Sequence, residues 1–122
     1  MNKIKPIEWV AAAKKDLRAM PDEVQADFGY ALYLAQIGEK SDYAKPLQGF
    51  GSADVLEIVE NFDRATYRAI YTVQFEDAIY VLHCFQKKSK RGSETPKHEI
   101  DLIRERLKEA QRIARGSSND RI

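Results

Sequence analysis

The spacing of apolar positions in the first third of the chain predicts a short strand followed by two helices. Pro6 lacks a backbone donor, so residues 3–9 are expected to form an edge strand. Pro21 separates the helices and is expected to open the second, which ends at Gly38. The apolar stripes are Val10, Ala13, Leu17 and Met20 in the first helix and Val24, Phe28, Ala31, Leu32 and Ala35 in the second.

The middle of the chain changes to runs rich in valine, isoleucine, tyrosine and phenylalanine, which predict strands. Short connections between these runs indicate an antiparallel meander, with Glu76-Asp77 as its second turn. The predicted strands are 54–61, 66–75 and 78–86, and the preceding segment 39–53, with Pro46, Gly49 and Gly51, is predicted to be a loop.

A helix closes the chain, beginning at Pro96 and ending near Arg115. Its predicted buried stripe is Ile100, Ile103, Leu107, Ala110 and Ala114. The fold class is therefore predicted as α+β, with an N-terminal helical hairpin, a three- to four-stranded mainly antiparallel sheet and a C-terminal helix. Residues 1–115 are expected to form one domain and residues 116–122 a flexible tail.

Composition agrees with one globular domain, since the 122 residues are 43% apolar and 32% charged. The single cysteine excludes an internal disulfide. Neither a signal peptide nor an apolar run of membrane-spanning length is visible, so a cytoplasmic protein without membrane contact is expected. Glycine-rich phosphate loops, dinucleotide fingerprints and metal-ligand spacings are missing from the sequence, so no cofactor and no metal are predicted.

The meander also predicts which side chains share a face of the sheet. If Glu76 and Asp77 form the turn, three pairs face one another: Thr66 with Lys87, Arg68 with Phe85, and Ile70 with His83. One face then carries Arg68, Ile70, Thr72, His83, Phe85 and Lys87. The other, which is expected to face the main core, carries Tyr67, Ala69, Tyr71, Val73, Tyr80, Leu82 and Cys84. A slip of one residue would exchange these faces.

The polar face suits cleavage of RNA by its own 2′-hydroxyl. Arg68 is a candidate for bidentate contact with the scissile phosphate, and lysines such as Lys87 add positive charge. His83 is a candidate for proton transfer, and Phe85 for stacking on a base.

Each of these residues also has a structural interpretation. A histidine in an apolar strand is often a satisfied core residue, and Arg68 has possible acidic partners in Glu57 and Glu60. Phe85 is a candidate for simple packing. Cys84 and His83 are adjacent in a strand and point to opposite faces, which argues against a nucleophile pair.

A short basic segment follows the last predicted strand and contains Lys87, Lys88, Lys90 and Arg91. On a protein of net charge +1, such a segment favours a focused contact with a polyanion, and the alternative is a solvated turn.

Several runs of the sequence resemble phage-derived toxins of the RelE/HigB type. The resemblance covers nearly the whole chain and lies in Lys45-Pro46-Leu47-Gln48-Gly49, Leu56-Glu57, Asn61-Phe62, Thr66-Tyr67-Arg68-Ala69-Ile70-Tyr71, Val81-Leu82-His83-Cys84-Phe85-Gln86-Lys87-Lys88 and Thr95-Pro96. It implies a small sheet flanked by helices and a toxin of a type II toxin–antitoxin pair. Many such toxins cut mRNA in the ribosomal A site, and a separately encoded antitoxin blocks them.

Carried onto this chain, the resemblance implies that Arg68 contacts the scissile phosphate and that Lys87 and Lys88 contact RNA or the ribosome. The expected partners are a helix-turn-helix antitoxin, the ribosome and mRNA. Two alternatives stay open: a non-enzymatic ParE-like toxin that binds DNA gyrase, and a degenerate prophage toxin that only binds its antitoxin.

Overall fold

A five-stranded sheet with helices on both faces forms the architecture of the computed structural model, which describes residues 4–51, 53–87 and 95–119. The elements are β1 (Ile7–Trp9), α1 (Ala13–Arg18), α2 (Asp22–Gln36), β2 (Ala44–Pro46), β3 (Val55–Phe62), β4 (Ala65–Thr72), β5 (Ile79–Lys87) and α3 (Lys97–Asn119). The strand order is β1-β5-β4-β3-β2, and every neighbouring pair is antiparallel except β1 with β5. The predicted α+β class and central meander are confirmed.

The number of strands is higher than predicted because two three-residue strands flank the meander. β1 lies at one edge, as predicted, although it is shorter than the predicted segment 3–9 and begins after Pro6. β2 lies at the other edge, inside the segment 39–53 that was predicted to be a loop, so that part of the prediction was wrong. Its tripeptide Ala44–Pro46 is too short to show an alternating pattern.

The first helix is shorter than its apolar stripe suggested. Val10 remains extended and donates its backbone N–H to the carbonyl of Val81 at 3.0 Å, which continues the pairing of β1 with β5. The chain then turns at Ala11, whose φ of 50° lies in the left-handed region. Placing Val10 on the first helix was therefore wrong.

The second helix ends as expected on Gly38, which has a φ of 85°. The N–H of Gly38 bonds to the carbonyl of Ala35, and the N–H of Glu39 bonds to that of Leu34. This pair of bonds is a Schellman motif, and it requires the positive φ that glycine adopts without strain.

Two apolar cores lie on opposite sides of the sheet. The front core joins the sheet to α1 and α2, and its largest helical members are Leu17, Val24, Phe28 and Leu32. The back core joins the sheet to α3 through Ile103 and Ala110, and it also holds Val10, Ile70, Tyr80 and Leu82. The sheet is thus buried on both faces.

The predicted pairing of β4 with β5 is correct in the half that carries the polar residues. Arg68 pairs with Phe85, Ile70 with His83, and Thr66 with Lys87. A register shift follows at Ile70/Tyr71, beyond which Tyr71 pairs with Val81. The strands are joined by residues 73–78, so the predicted two-residue turn at Glu76-Asp77 was wrong.

The register shift also changes which core the start of β5 enters. Tyr80 and Leu82 pack in the back core, although they were predicted on the same face as Cys84, which packs in the front core. An extra residue in one strand of a pair reverses the alternation of the side chains beyond it, and this β-bulge explains the error.

The last helix extends past its predicted end and runs through residues 116–119. Glycine ends a helix efficiently when it takes a positive φ, as Gly38 does, and Gly116 is not among the glycines with that conformation. The predicted helix end near Arg115 was therefore wrong.

Tyr71 offers a test of how the core tolerates a polar atom. Its hydroxyl is buried and has no hydrogen-bond partner in the described part of the chain, and burial raises the pKa of Tyr71 to about 12. Because a buried unsatisfied hydroxyl costs free energy, Tyr71→Phe is expected to raise the free energy of unfolding by about 1 kcal/mol. Urea denaturation will measure this change.

Tyr80→Phe is the matched control, since the hydroxyl of Tyr80 contacts a carboxylate oxygen of Asp77 at 3.3 Å. This variant is expected to be no more stable than the wild type. A lower stability for Tyr71→Phe would contradict the interpretation of its hydroxyl as unsatisfied.

Candidate functional site

Arg68 lies on the back face of the sheet, beneath the residues that lead into α3. Its Nη1 donates to Oε2 of Glu57 at 2.8 Å, and both side chains are nearly buried, at 4% and 7% exposed. The same Nη1 is 3.3 Å from the hydroxyl oxygen of Thr95, which in turn lies 3.3 Å from Oε2 of Glu57. The predicted phosphate-binding arginine is therefore engaged by an acidic partner that the sequence had suggested.

A cleft of about 520 Å³ opens next to this ion pair. We call it the basic cleft; its lining includes Lys45, Glu57, Thr95 and Lys97. The ammonium of Lys45 is 3.7 Å from Oε1 of Glu57 and its side chain is 60% exposed, so it can reach a bound anion. Lys97 is also exposed and pairs with Asp101 at 3.2 Å.

The rim of the basic cleft is held in place by α3. Arg104 donates from Nη2 to the carbonyl oxygen of Gly49 at 2.7 Å, and its guanidinium lies 4.7 Å from the ring centroid of Phe50. These contacts tie the loop after β2 to the helix that carries Lys97.

His83 lies on β5, and both of its ring nitrogens form hydrogen bonds with side chains of α3. Nδ1 lies 3.0 Å from Nη1 of Arg106, and Nε2 lies 2.8 Å from Oε2 of Glu99. Because a guanidinium only donates, Nδ1 must be the acceptor, and Nε2 carries the proton that is donated to Glu99. Burial lowers the pKa of His83 despite the neighbouring Glu99, which agrees with a neutral ring.

Two further predicted site residues, Phe85 and Lys87, line a second cleft of about 700 Å³ on the other side of the N-terminus of α3. Phe85 is half-buried and stacks on His83, with ring centroids 4.7 Å apart. Lys87 is nearly buried and also lines this cleft. Lys88, Lys90 and Arg91, predicted to contact RNA or the ribosome, lie outside the described residues.

The structure offers no sign of a reactive thiol or a metal centre at these clefts. Cys84 lines the second cleft, but its side chain packs in the front core, and burial raises the pKa of its thiol to about 12. Among the described residues, no three histidine, cysteine, aspartate or glutamate side chains lie close enough to hold a metal ion.

A third surface, the acidic groove, lies between α2 and the outer edge of β3. It is about 700 Å³ in volume, and its lining includes Glu23, Asp27, Tyr30, Asp42, Tyr43 and Glu60. Burial, a hydrogen bond with Asp27 and the negative charges of Asp27 and Glu23 raise the pKa of Glu60 from 4.5 to about 7. The carboxyl group of Glu60 therefore keeps its proton in mildly acidic solution.

This carboxyl pair predicts a pH dependence of stability. The pKa of Glu60 is higher in the folded than in the unfolded chain, so its contribution is present below its ordinary pKa and is lost as the pH rises through about 7. The unfolding free energy of the wild type is expected to fall more between about pH 5 and about pH 8 than that of Glu60→Gln. Urea titrations across this range, with Glu105→Gln as an exposed control, will show parallel curves if the interpretation is wrong.

The sequence pointed to Arg68, to Glu57 as one of its two possible partners, and to His83 on the neighbouring strand, but not to the groups contributed by β2 and α3. Lys45 and Lys97 are brought together only by the packing of α3 over the sheet. Arg106 could have been identified from the sequence, because it lies three residues after Ile103 and therefore on the half-buried side of the helix.

The phage-derived Gp49-like protein family matches residues 15–108. The crystal structure of the toxin–antitoxin complex RelBE2 from Mycobacterium tuberculosis contains a similar chain, with 21% identity and a TM-score of 0.45, covering 73% of this chain and 100% of that one. A likeness at this level carries no argument about function. A search of curated proteins found no match.

The family match spans well over half of the chain and identifies the class of protein as a RelE-type toxin. The chain belongs to the phage-derived Gp49-like family. In the described ranges, no helix is both long enough and apolar enough to cross a membrane.

Proposed function

We propose that this protein is the toxin of a type II toxin–antitoxin pair and cleaves mRNA on the ribosome, with the RNA 2′-hydroxyl as nucleophile. The observation that carries this proposal is the basic cleft, whose lining combines Lys45 and Lys97 with the carboxylate of Glu57, which Arg68 holds in place. Family membership supports the toxin class, and the geometry of the cleft supports phosphate chemistry. Because ribosomes translate mRNA in the cytoplasm, the proposed site of action is cytoplasmic.

The proposed reaction forms a bond between the 2′-oxygen and phosphorus and breaks the bond from phosphorus to the 5′-oxygen. Glu57 accepts the 2′-hydroxyl proton, and the ammonium of Lys45 or Lys97 supplies a proton to the departing 5′-oxygen. Both lysines also stabilise the charge that develops on the phosphate oxygens. No metal or cofactor takes part in this scheme.

Arg68 acts in this proposal as a positioning residue. Its guanidinium is nearly buried and donates to Glu57, so a direct bidentate contact with phosphate would require Thr95 to move away. Holding Glu57 in place keeps its carboxylate at the wall of the cleft that Lys45 and Lys97 also line. Lys87 and Phe85, in the neighbouring cleft, remain candidates for contact with a flanking nucleotide.

The proposal is tested by incubating the purified protein with ribosomes translating a defined mRNA and mapping new 5′ ends. Removal of both exposed lysines in Lys45→Ala/Lys97→Ala is expected to lower the cleavage rate by at least ~100-fold, the typical effect of losing electrostatic stabilisation of a transition state. The matched control is Lys14→Ala/Lys15→Ala, which removes the same charge from exposed positions on α1, across the sheet.

A second arm of the experiment tests the nucleophile. An mRNA with a single 2′-deoxynucleotide at the cleavage position is expected to remain intact at that position. Equal cleavage by the lysine variant and the wild type would contradict the assigned site. Growth arrest without cleavage would favour the gyrase-binding alternative, and absence of arrest would favour a protein that only binds its antitoxin.

A separately encoded helix-turn-helix antitoxin is the proposed protein partner. Membership of a toxin family supports this assignment, since such toxins are held inactive by a bound protein.

A further inference from the structure

The surface of α2 and the segment that follows it exposes aromatic side chains. Among the described residues, the large apolar side chains that are exposed are Ile4, Tyr30, Tyr33 and Tyr43. Tyr30 and Tyr43, at 64% and 76% exposed, both line the acidic groove. Tyrosines are enriched at the centres of protein interfaces, because they bury a large area at a small entropic cost.

The floor of the same groove is an open strand edge. β2 pairs with β3 only at Leu56, Glu57 and Ile58, whereas β3 continues to Phe62. Over 59–62, no strand in the described part of the chain lies on that side of β3. Such an edge presents backbone donors and acceptors that an extended segment of another chain can pair with.

The charge of the groove selects the kind of partner. Glu23, Asp27, Asp42 and Glu60 line it, and Lys40 is the basic residue in that lining. The ammonium of Lys40 is engaged with the carbonyl oxygen of Ala44 at 2.8 Å. This surface repels RNA phosphates and attracts arginine and lysine side chains, which can also stack on the tyrosine rings.

We infer that the acidic groove is the docking site for an extended, arginine- or lysine-bearing segment of the partner antitoxin. The segment lies along the open edge of β3, with its basic side chains between Tyr30, Tyr43 and the carboxylates of α2. This inference rests on the proposed existence of an antitoxin partner, but not on the proposed nuclease chemistry, because the basic cleft lies on the opposite side of the sheet.

The test uses the full-length toxin and, as the probe, the purified protein encoded by the gene adjacent to its own. Calorimetric titration compares the wild type with Glu23→Lys/Asp27→Lys and with Tyr30→Ala/Tyr43→Ala, all at exposed positions. Each double variant is expected to bind at least ~10-fold more weakly. The control Glu76→Lys/Glu105→Lys makes the same change of charge elsewhere and is expected to bind as the wild type does.

Hydrogen exchange on the same complex locates the contact. Backbone amides of residues 59–62 are expected to exchange more slowly in the complex than in the free toxin. Wild-type affinity in both groove variants, protection confined to other segments, or no binding by the wild type would each overturn the inference. A toxin that dimerises alone in sedimentation experiments, and becomes monomeric with the groove substitutions, would instead assign the groove to a second copy of this chain.

Cleavage of mRNA is measured on the same preparations. Groove variants that lose binding but cleave as the wild type does are the expected result. Intact binding together with absent cleavage would contradict the nuclease proposal alone, so the two failures are distinguishable.

Discussion

Arg68→Ala is expected to lower the free energy of unfolding by about 3–5 kcal/mol, because it leaves the carboxylate of Glu57 nearly buried without its closest cation. Urea denaturation followed by circular dichroism will measure the loss. Arg18→Ala is the control, since Arg18 is exposed on α1 and its removal is expected to change stability by less than about 0.5 kcal/mol.

A double variant separates the ion pair from the volume it fills. Arg68→Met/Glu57→Leu replaces both charges with apolar side chains and is expected to regain most of the lost stability, since buried ion pairs are often no more stabilising than apolar packing. If the double variant were as unstable as Arg68→Ala, the unpaired carboxylate would not be the cause of the loss.

Because Arg68→Ala is expected to destabilise the fold, a loss of toxicity in this variant has two possible explanations. A cell expressing Arg68→Ala would escape growth arrest either because a catalytic contact is missing or because the toxin is unfolded. The exposed lysines of the basic cleft avoid this ambiguity, as Lys45 and Lys97 contribute little to the core. Cleavage measurements on their variants therefore test the site more directly than those on Arg68.

The sequence predicted the pairing around Arg68 correctly, although it placed the turn wrongly. Counting from a two-residue turn at Glu76-Asp77 gave the observed partners for Arg68 and Ile70. Near the loop the observed pairs are shifted by one residue, and the β-bulge restores the predicted pairing farther along. Periodicity alone cannot locate a bulge. The sequence therefore could not predict that Tyr80 and Leu82 pack in the back core.

The composition of the site depended on contacts between distant segments. Lys45, Glu57 and Lys97 belong to β2, β3 and α3, and the packing of α3 on the back core brings them to one cleft. Each is an ordinary charged residue in its local sequence. Strand and helix patterns predicted the elements themselves, whereas the angle and height of α3 over the sheet follow from side-chain packing that no local pattern encodes.

His83 is the residue for which the structural and catalytic interpretations differ most. Its neutral ring accepts from Arg106 and donates to Glu99, so it joins β5 to α3 through two charged partners. To act as a base it would have to give up Arg106, and to act as an acid it would have to give up Glu99. The geometry therefore favours a positioning role.

His83→Ala is accordingly expected to lower the free energy of unfolding by about 2–4 kcal/mol, because Arg106 and Glu99, both charged and partly buried, each lose a hydrogen bond. His98→Ala, at an exposed position of the same helix turn, is the matched control and should change stability little. The pKa of His83 is lower in the folded than in the unfolded protein, so the wild type should also lose stability as the pH falls below about 6.5, and His83→Ala should lose less.

Activity at a temperature where both proteins are folded separates the two roles of His83. If His83 only positions its neighbours, folded His83→Ala should still cleave mRNA within about tenfold of the wild-type rate. The pH profile of cleavage should then be unchanged. If His83 is catalytic, the cleavage rate of His83→Ala should fall by about 100-fold or more, and one limb of the pH profile should disappear. Wild-type stability combined with such a loss would return His83 to the reacting atoms. Because its ring nitrogens are already bonded to Arg106 and Glu99, we expect the first result.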